Sequence, residues 1–396
     1  MINFLKKKQE RIFLDYASAT PVRAEVKVVM RDYAELHFAN PSALYTEARQ
    51  VKEIMLQARS EVARFLNTAH ERIVFTAGGT ESNNLAILGT FAYAQQHGIA
   101  RPHIISVLTE HSSVREVLAE VTRRGGEVTL LTPDSDGLIT AQQVVDAIQN
   151  NTVLVSIMYV NNEIGVVQPL REIVRAVKIK SQASRFEILF HTDACQAPLF
   201  YTLDVSTLGV DLLTLDGFKV YGPAGIGCLY VRHGVNWSPV MFGGGQEMGL
   251  RSGTEDVTRM LGLATALSCA KVERKELSIR LEKLRDYCID EILKRFEGAE
   301  INGSRKHRVP NNISICFKGL DAEYLVVALD TYGVAASYSS SCQTLKEDSS
   351  SYVVASLGKP DCALSSIRFT LGRETTQADI DFALHALEKA LKQVGK

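Results

Sequence analysis

Apolar and polar positions follow two alternating patterns over the first two thirds of the chain. Short runs of apolar, β-branched residues, such as the run from Thr152 to Met158, are typical of strands buried on both faces of a parallel sheet. Between these runs lie amphipathic segments with the helical period. The predicted strands are 72–75, 103–107, 127–131, 153–158, 187–191, 212–215 and 226–231, and the predicted helices are 81–96, 113–123, 141–149 and 170–180. This alternation predicts an α/β fold with a mostly parallel sheet.

The pattern changes near Thr254. A long helical stretch continues to about Phe296, and it is followed by a strand, a helix, a serine-rich loop, another strand and a final helix from Gln377. We interpret this part as a smaller α+β domain. The predicted division is a large domain at 14–258 and a small domain made of 1–13 and 259–396, with a mobile loop at about 335–350.

Charge and hydropathy exclude several classes of protein. The 396 residues include 44 Lys+Arg and 45 Asp+Glu, and 46% are hydrophobic, so the chain is neither disordered nor strongly charged. A net charge of −1 gives no bulk attraction to nucleic acid or to an anionic membrane. No apolar run is long enough for a membrane span. We therefore expect neither nucleic acid nor a membrane as a direct partner.

The cysteines indicate a reducing environment. Seven are present, an odd number, and none forms a C-x-x-C pair. This pattern argues against a disulfide framework and against a structural zinc site, so we expect no metal. The cytoplasm is the simplest setting.

A glycine-containing segment between Thr76 and Ser82 follows a predicted strand and opens a predicted helix. Glycines let the backbone approach a ligand closely, and the free N–H groups of a helix N-terminus favour phosphate. Thr80 is placed to cap the helix. Taken alone, the segment is equally consistent with an ordinary capped turn. The lysine of a Walker loop and the spacing of a dinucleotide fingerprint are both absent.

A single lysine follows another predicted strand. Lys219 comes after Asp216-Gly-Phe and precedes a glycine-rich stretch, a position from which it could form a Schiff base with an aldehyde cofactor. A lone lysine in a turn is more often a surface residue. Asp193, directly after the strand at 187–191, is a candidate partner for a pyridine nitrogen. Together with the phosphate-binding segment, these residues are the parts of a pyridoxal phosphate (PLP) site.

Several motifs in one order resemble a known family. They span nearly the whole chain, at 14–16, 77–82, 109–111, 160–165, 191–196, 219–223, 251–254 and 365–373. In these segments the chain resembles the cysteine desulfurases of the NifS/IscS type, which are fold-type I PLP enzymes of the class V aminotransferase superfamily. The resemblance implies a large, mostly parallel mixed sheet flanked by helices, a smaller α+β domain, and a homodimer.

The resemblance also implies roles around the cofactor ring. Lys219 would hold PLP through a Schiff base and then move the Cα proton of the substrate. Asp193 would pair with the pyridine nitrogen, and Gln196 would contact the phenolic oxygen. His111 would stack on the ring and relay protons.

The remaining implied roles concern the phosphate and the substrate. Gly79 and Thr80 would hold the phosphate, and Thr254 would reach it from a second subunit. Asn161 and Arg368 would hold the α-carboxylate of L-cysteine, with Arg368 as a bidentate partner.

Cys342 is the predicted nucleophile. It lies in a polar, serine-rich segment, and a sulfur carrier has to be exposed and mobile. The resembled family has its persulfide cysteine at this position, which implies conversion of L-cysteine to L-alanine. The sulfur would then pass to an iron–sulfur scaffold, a tRNA-thiolation relay or another acceptor. Of the other cysteines, we interpret 228, 269, 288 and 316 as core residues, place Cys195 near the cofactor, and assign Cys362 no role.

The chain departs from the family pattern at three places. Asp216 and Phe218 stand where the family usually has Ser and His before the lysine, and both changes lie on the phosphate side. Phe218 has no side-chain donor, and Asp216 would repel a phosphate if it pointed there, so we expect weaker retention of PLP. The segment leading to Cys342 lacks the usual glycine, and Tyr45 stands at a usual histidine position.

Two alternatives remain open. One is a selenocysteine lyase or another C–S lyase of the same superfamily, which need not use Cys342. The other is a catalytically weak, PLP-binding scaffold for sulfur-transfer partners. The scaffold interpretation is less favoured, because the chain keeps every group needed for catalysis: Lys219, His111, Asp193, Arg368 and Cys342.

Overall fold

The computed structural model describes residues 11–338 and 350–395. In chain order the strands are β1 (Ile12–Phe13), β2 (Ile73–Thr76), β3 (His103–Val107), β4 (Glu127–Leu131), β5 (Thr152–Ser156), β6 (Leu189–Asp193), β7 (Leu212–Asp216), β8 (Gly227–Val231), β9 (Ala299–Ile301), β10 (Asn312–Phe317), β11 (Val334–Ala335), β12 (Ser337–Tyr338) and β13 (Ser366–Thr370). The helices are α1 (Ala24–Leu36), α2 (Thr46–Leu66), α3 (Gly79–Gln96), α4 (Ser112–Arg123), α5 (Ala141–Asp146), α6 (Leu170–Gln182), α7 (Val205–Leu208), α8 (Val257–Arg295), α9 (Ala322–Thr331), α10 (Tyr352–Ser356) and α11 (Gln377–Val394).

The large sheet has seven strands in the order β2-β8-β7-β6-β5-β3-β4. Strand β8 runs antiparallel to both of its neighbours, and every other pairing is parallel. Because β2 and β7 are both antiparallel to β8, they point in the same direction as β3, β5 and β6. Strand β4 is parallel to β3, so six of the seven strands end at one edge of the sheet. The predicted α/β fold with a mostly parallel mixed sheet is confirmed.

The strand sequences account for this sheet. Every residue of β3 and β5 is buried, as expected for strands covered by helices on both faces. Helices α4 and α6 each bury one apolar face and expose the other. The 39-residue helix α8 packs against α1 and α2, two helices that the pattern analysis did not predict.

A second sheet lies in the C-terminal part of the chain. It is antiparallel, with the strand order β12-β13-β10-β9. Strand β1, near the start of the chain, pairs in parallel with β11 and so joins the N-terminal segment to this part. The division into domains at residue 258 stays a prediction. No helix among the described residues is both long and apolar enough to cross a membrane.

The cysteine argument is wrong for one pair, because Cys316 and Cys362 form a disulfide. An odd cysteine count cannot show which side chains the topology brings together. Cys316 pairs across the sheet with Ser366, and Cys362 lies four residues before Ser366 in the chain. Both cysteines are buried. Cys316 is therefore not a free core thiol, and Cys362 has a structural partner.

Reduction of this disulfide is expected to lower the thermal unfolding midpoint. The bond joins residues 46 positions apart, and the chain-entropy model gives about 4 kcal/mol for closing a loop of that length in the unfolded chain. Thermal scans with and without a thiol reductant measure the effect. A Cys316→Ala/Cys362→Ala double variant should lose this sensitivity to reductant, whereas a Cys288→Ala variant should keep it. Finding both thiols free to alkylation after unfolding, in protein purified without reductant, would contradict the prediction.

Candidate active site

A cavity opens at the edge where the parallel strands end, the usual position of ligand sites in such sheets. Its walls come from the segments that follow β2, β3, β5, β6 and β7, together with residues 17–18 and β13. The predicted site residues that line it are Gly79, Thr80, His111, Asp193, Gln196, Lys219 and Arg368. The topology therefore brings together residues separated by nearly 290 positions in the sequence.

Lys219 lies in a short 3-10 turn (Gly217–Lys219) directly after β7. Its Nζ donates a hydrogen bond to the carbonyl oxygen of Ser18 and lies 5.8 Å from the ring centroid of Phe218. The amine therefore faces the cavity from the carboxyl end of the strand, as the sequence predicted. Gln196, also in the lining, donates from Nε2 to the carbonyl oxygen of Ala17 at 2.9 Å.

Asp193 is the last residue of β6 and is almost fully buried. Its Oδ2 accepts a hydrogen bond from Nδ2 of Asn83 at 2.7 Å, and its Oδ1 accepts from the backbone N–H of Cys195 at 3.0 Å. Asn83 also donates to Oγ of Ser113 at 2.9 Å. These bonds hold the carboxylate in one orientation at the floor of the cavity.

His111 is the N-cap residue of α4 and is oriented by the same network. Its Nδ1 accepts from the backbone N–H of Ser113 at 3.2 Å and lies 2.8 Å from the Ser113 hydroxyl. Because Nδ1 already accepts from the backbone N–H of Ser113, the Ser113 hydroxyl is the donor in its contact with Nδ1. The neutral imidazole then carries its proton on Nε2. Hydrogen bonds thus connect Asp193 to His111 through Asn83 and Ser113.

Another histidine at this edge has a structural role. His191, in β6, is fully buried and bonds to Ser156 and Thr214 through hydroxyl groups. Burial lowers the pKa of His191 to about 4 and so keeps the ring neutral.

The segment between Thr76 and Ser82 adopts the strand–helix turn that the sequence indicated. Gly78 has φ 148°, a value that side chains rarely allow, and a Cβ atom at Gly79 would lie 2.8 Å from Sγ of Cys195. The backbone N–H of Gly79 does not face open space. It donates to Oδ2 of Asp216 at 2.9 Å, while the other oxygen of Asp216 accepts from the N–H of Phe218 at 2.7 Å.

The prediction that Thr80 caps the helix is wrong. Helix α3 begins at Gly79, two residues earlier than predicted, and its N-cap is Gly78. Thr80 therefore lies within the first turn. The carboxylate of Asp216 instead caps the first N–H of the helix, that of Gly79, while Glu81 accepts from the N–H of Ala77 just before the helix.

Arg368 lies on β13 and is buried. Its guanidinium forms an ion pair with Asp15 at 2.6 Å and donates to the Ser18 hydroxyl at 2.8 Å and to the carbonyl oxygen of Asn162 at 2.8 Å. Its Nε is buried and has no hydrogen-bond partner among the described residues. Arg368 thus places a fixed positive charge in the cavity wall.

Two of the predicted site residues that the structure describes, Asn161 and Thr254, are not in the cavity lining. Asn161 is buried, and its side chain accepts from the N–H groups of Glu163 and Ile164 and donates to the carbonyl oxygen of Thr109; the neighbouring Asn162 lines the cavity instead. Thr254 lines a separate pocket. Cys342 lies outside the described residues. The roles of these residues stay predictions.

Burial disfavours the thiolate form of three other cysteines, Cys195, Cys228 and Cys288. Burial raises the pKa of Cys228 and of Cys288 to about 12. Cys195 lines the cavity, as expected, but burial and the nearby carboxylates of Asp193 and Asp216 raise the pKa of its thiol well above the usual range. Cys269, which is partly exposed, is not in the cavity lining.

Sequence reasoning missed several residues of the site. Asn83 lies one helical turn after Gly79, so extending the phosphate-binding motif along the helix would have pointed to it. Ser113 lies two positions after His111, so extending the motif at 109–111 along the chain would have pointed to it. The contacts of Arg368 with Asp15 and Ser18 carry no local signal, because they depend on long-range packing of the N-terminal segment.

Comparison with known proteins agrees with this arrangement. The model of the family Aminotransferase class-V matches residues 12–382. A curated relative, cysteine desulfurase IscS of Dictyoglomus turgidum, is 36% identical over 98% of this chain and 96% of its own length.

Two solved structures share both fold and sequence with the chain. A NifS-like protein is 30% identical with a TM-score of 0.89, over 97% of this chain and all of the other. A structure described as SspA in complex with cysteine is 33% identical with a TM-score of 0.78, over 91% of this chain and 98% of the other. The resemblance seen in the motifs is confirmed, and the chain belongs to the aminotransferase class-V family, among relatives named cysteine desulfurases.

Proposed function

We propose that this protein is a PLP-dependent cysteine desulfurase. The observation that carries the proposal is that Lys219, Asp193, His111 and Arg368 converge on one cavity at the carboxyl edge of the sheet. An amine, a buried carboxylate, an aromatic base and a guanidinium are the groups needed to hold an aldehyde cofactor and an amino acid together. The names of the relatives and the complex of SspA with cysteine support L-cysteine as the substrate.

The ring end of the cavity fits PLP. Lys219 would hold the cofactor, Asp193 would keep a proton on the pyridine nitrogen, and His111 would lie against the ring, with Gln196 beside it. When bound, PLP supplies an electron sink for the pair released as the Cα proton leaves. At the phosphate end, Gly79 and Thr80 line the cavity, but the carboxylate of Asp216 already accepts the Gly79 N–H.

The protein's own groups divide the remaining tasks. The guanidinium of Arg368 would bind the substrate carboxylate, which would join or replace Asp15 as its partner. Nζ of Lys219 would take the Cα proton and return a proton to the product. Nε2–H of His111, held in place through Ser113, would donate to the reacting groups above the cavity floor.

Sulfur transfer is assigned to Cys342. Its thiolate would attack the substrate sulfur, the carbon–sulfur bond would break, and the products would be L-alanine and a persulfide on Cys342. The raised pKa of the cavity cysteine Cys195, caused by burial and the nearby carboxylates, disfavours its thiolate and supports this assignment. The described residues before and after Cys342 also lie near the site.

Contacts of the described residues on either side of the cysteine segment hold both ends of the segment near the cavity. Ser337 pairs directly with Arg368 across β12 and β13, and Tyr338 precedes Cys342 by four residues, a span of at most about 14 Å. After the segment, the hydroxyl of Ser351 donates to the buried carboxyl group of Glu163, next to Asn162 in the cavity wall. Both anchors support access of Cys342 to the cavity.

The persulfide would pass to a sulfur acceptor, for which an iron–sulfur scaffold is our first candidate, with the cytoplasm as the setting. We also propose a homodimer in which Thr254 completes the phosphate side of the second subunit. Large exposed apolar side chains, including Phe38, Leu44 and Phe242, support burial against a second copy.

Replacing Lys219 with Ala should lower the rate of alanine formation from L-cysteine by roughly 10²- to 10⁴-fold or more, because the variant loses both the cofactor attachment and the proton carrier. Alanine released in the presence of a thiol reductant is the measurement. Lys178→Ala is a matched control, because that lysine pairs with Asp211 away from the cavity and its loss should leave the rate nearly unchanged. Equal rates for Lys219→Ala and the wild type would rule out the proposed site.

Replacing Cys342 with Ser should abolish persulfide formation and leave only a small residual rate of alanine formation. Mass spectrometry of the protein after one turnover, together with the alanine assay, measures both. Cys269→Ser, which changes a partly exposed cysteine outside the cavity, should behave as the wild type. A Cys342→Ser variant that keeps the full rate of sulfide release, with pyruvate and ammonia or (with the thiol reductant) alanine as the other products, would favour a C–S lyase. Absence of alanine, pyruvate and sulfide from both the variant and the wild type would favour a scaffold.

A further inference from the structure

The N-terminus of helix α3 already holds an anionic group from the chain itself. Asp216 is the last residue of β7, and its two carboxylate oxygens accept from the N–H groups of Gly79 and Phe218 at 2.9 and 2.7 Å. A Cβ atom at Gly78 would come within 3.2 Å of Oδ2 of Asp216, so this oxygen lies directly against the turn. The carboxylate thus occupies the position where a helix N-terminus would bind an external anion.

The carboxylate of Asp216 is not held in a close ion pair. No Lys, Arg or His of the described residues forms an ion pair with Asp216. Arg251, which contacts the first turn of α3, is paired with Glu81 at 2.8 Å. The side chain of Phe218 offers no donor. A phosphate placed against the N–H of Gly79 would therefore meet a second negative charge in place of a positive one.

Asp216 is also fixed in position. It caps the 3-10 turn that carries Lys219, through its bond to the N–H of Phe218, and the carbonyl oxygen of Phe218 accepts from the N–H and the hydroxyl of Thr20. Rotating the carboxylate away would leave the N–H of Phe218 without its partner and loosen the turn beside the lysine. A phosphate would have to displace a bonded group rather than fill an open cradle.

We propose that the Asp216 carboxylate is a built-in occupant of the phosphate subsite, so that this chain draws little binding energy from the phosphate of PLP. The inference rests on the proposed function, because it assumes that Lys219 binds a pyridoxal aldehyde. It adds a ligand specificity. Pyridoxal, the aldehyde without the phosphate, should bind with nearly the same affinity as PLP, because only the ring contacts contribute to binding. Phosphate recognition is restored when the charge at position 216 is removed.

The test titrates apoprotein, full length and freed of cofactor, with PLP and with pyridoxal. The visible absorbance of the lysine-bound aldehyde reports binding without any turnover, and it gives a dissociation constant for each ligand. The ratio of the two constants is compared between the wild type, Asp216→Asn and Asp216→Ser. Intrinsic differences between the two aldehydes cancel in that comparison.

Both variants should bind PLP about tenfold more tightly than the wild type, a change of about 1.4 kcal/mol, while their affinity for pyridoxal stays the same. Asp216→Asn keeps an acceptor for the N–H of Phe218. It therefore tests the effect of removing the charge while the 3-10 turn keeps its cap. Asp321→Ser is the matched control. Asp321 caps α9 with the same type of carboxylate bond, outside the cavity, and its loss should leave the ratio unchanged.

Two failures are distinguishable. If PLP binds no more tightly to either Asp216 variant than to the wild type, the inference about the subsite is overturned, although the aldehyde site stands. If neither aldehyde gives an absorbance band with the wild type or with the Asp216 variants, as with a Lys219→Ala blank, the proposed function itself fails.

Discussion

The common direction of the strands is the constraint on which the candidate site depends. Strands β2, β3, β5, β6 and β7 all end at one edge, because the single reversed strand β8 separates two strands of the same direction. Each strand end then delivers one polar segment to the same cavity. Reversing any of these strands would move its segment to the opposite edge of the sheet, about five residues or 17 Å away.

The cavity has two ends with opposite electrostatic character for an anionic ligand. At the ring end, the carboxylate of Asp193 is held by neutral donors and remains available to a protonated nitrogen. At the helix end, the donors that would suit an anion are already used by Asp216. The third charged group, the guanidinium of Arg368, is paired with the carboxylate of Asp15 and could also bind the carboxylate of an amino acid. The arrangement favours a zwitterionic substrate more clearly than a doubly charged phosphate.

Local patterns predicted the elements well, since the strands and helices of the large sheet depend on apolar periodicity within a few residues. The position of Lys219 after a buried strand was also local information. What local patterns could not show was pairing between distant segments. The disulfide of Cys316 depends on the register between β10 and β13, and the orientation of Asp216 depends on where α3 begins. Both features are set by tertiary packing, which cannot be read from the neighbouring residues in the sequence.

The pairing of Ser337 with Arg368 has a mechanical consequence. The strand that presents the guanidinium is bonded to the strand from which the chain continues toward Cys342. Any shift of this sheet against the seven-stranded sheet would move the two strands together. If Arg368 and Cys342 have the roles proposed above, the partner of the substrate's carboxylate and the strand that leads to the thiol belong to one hydrogen-bonded unit.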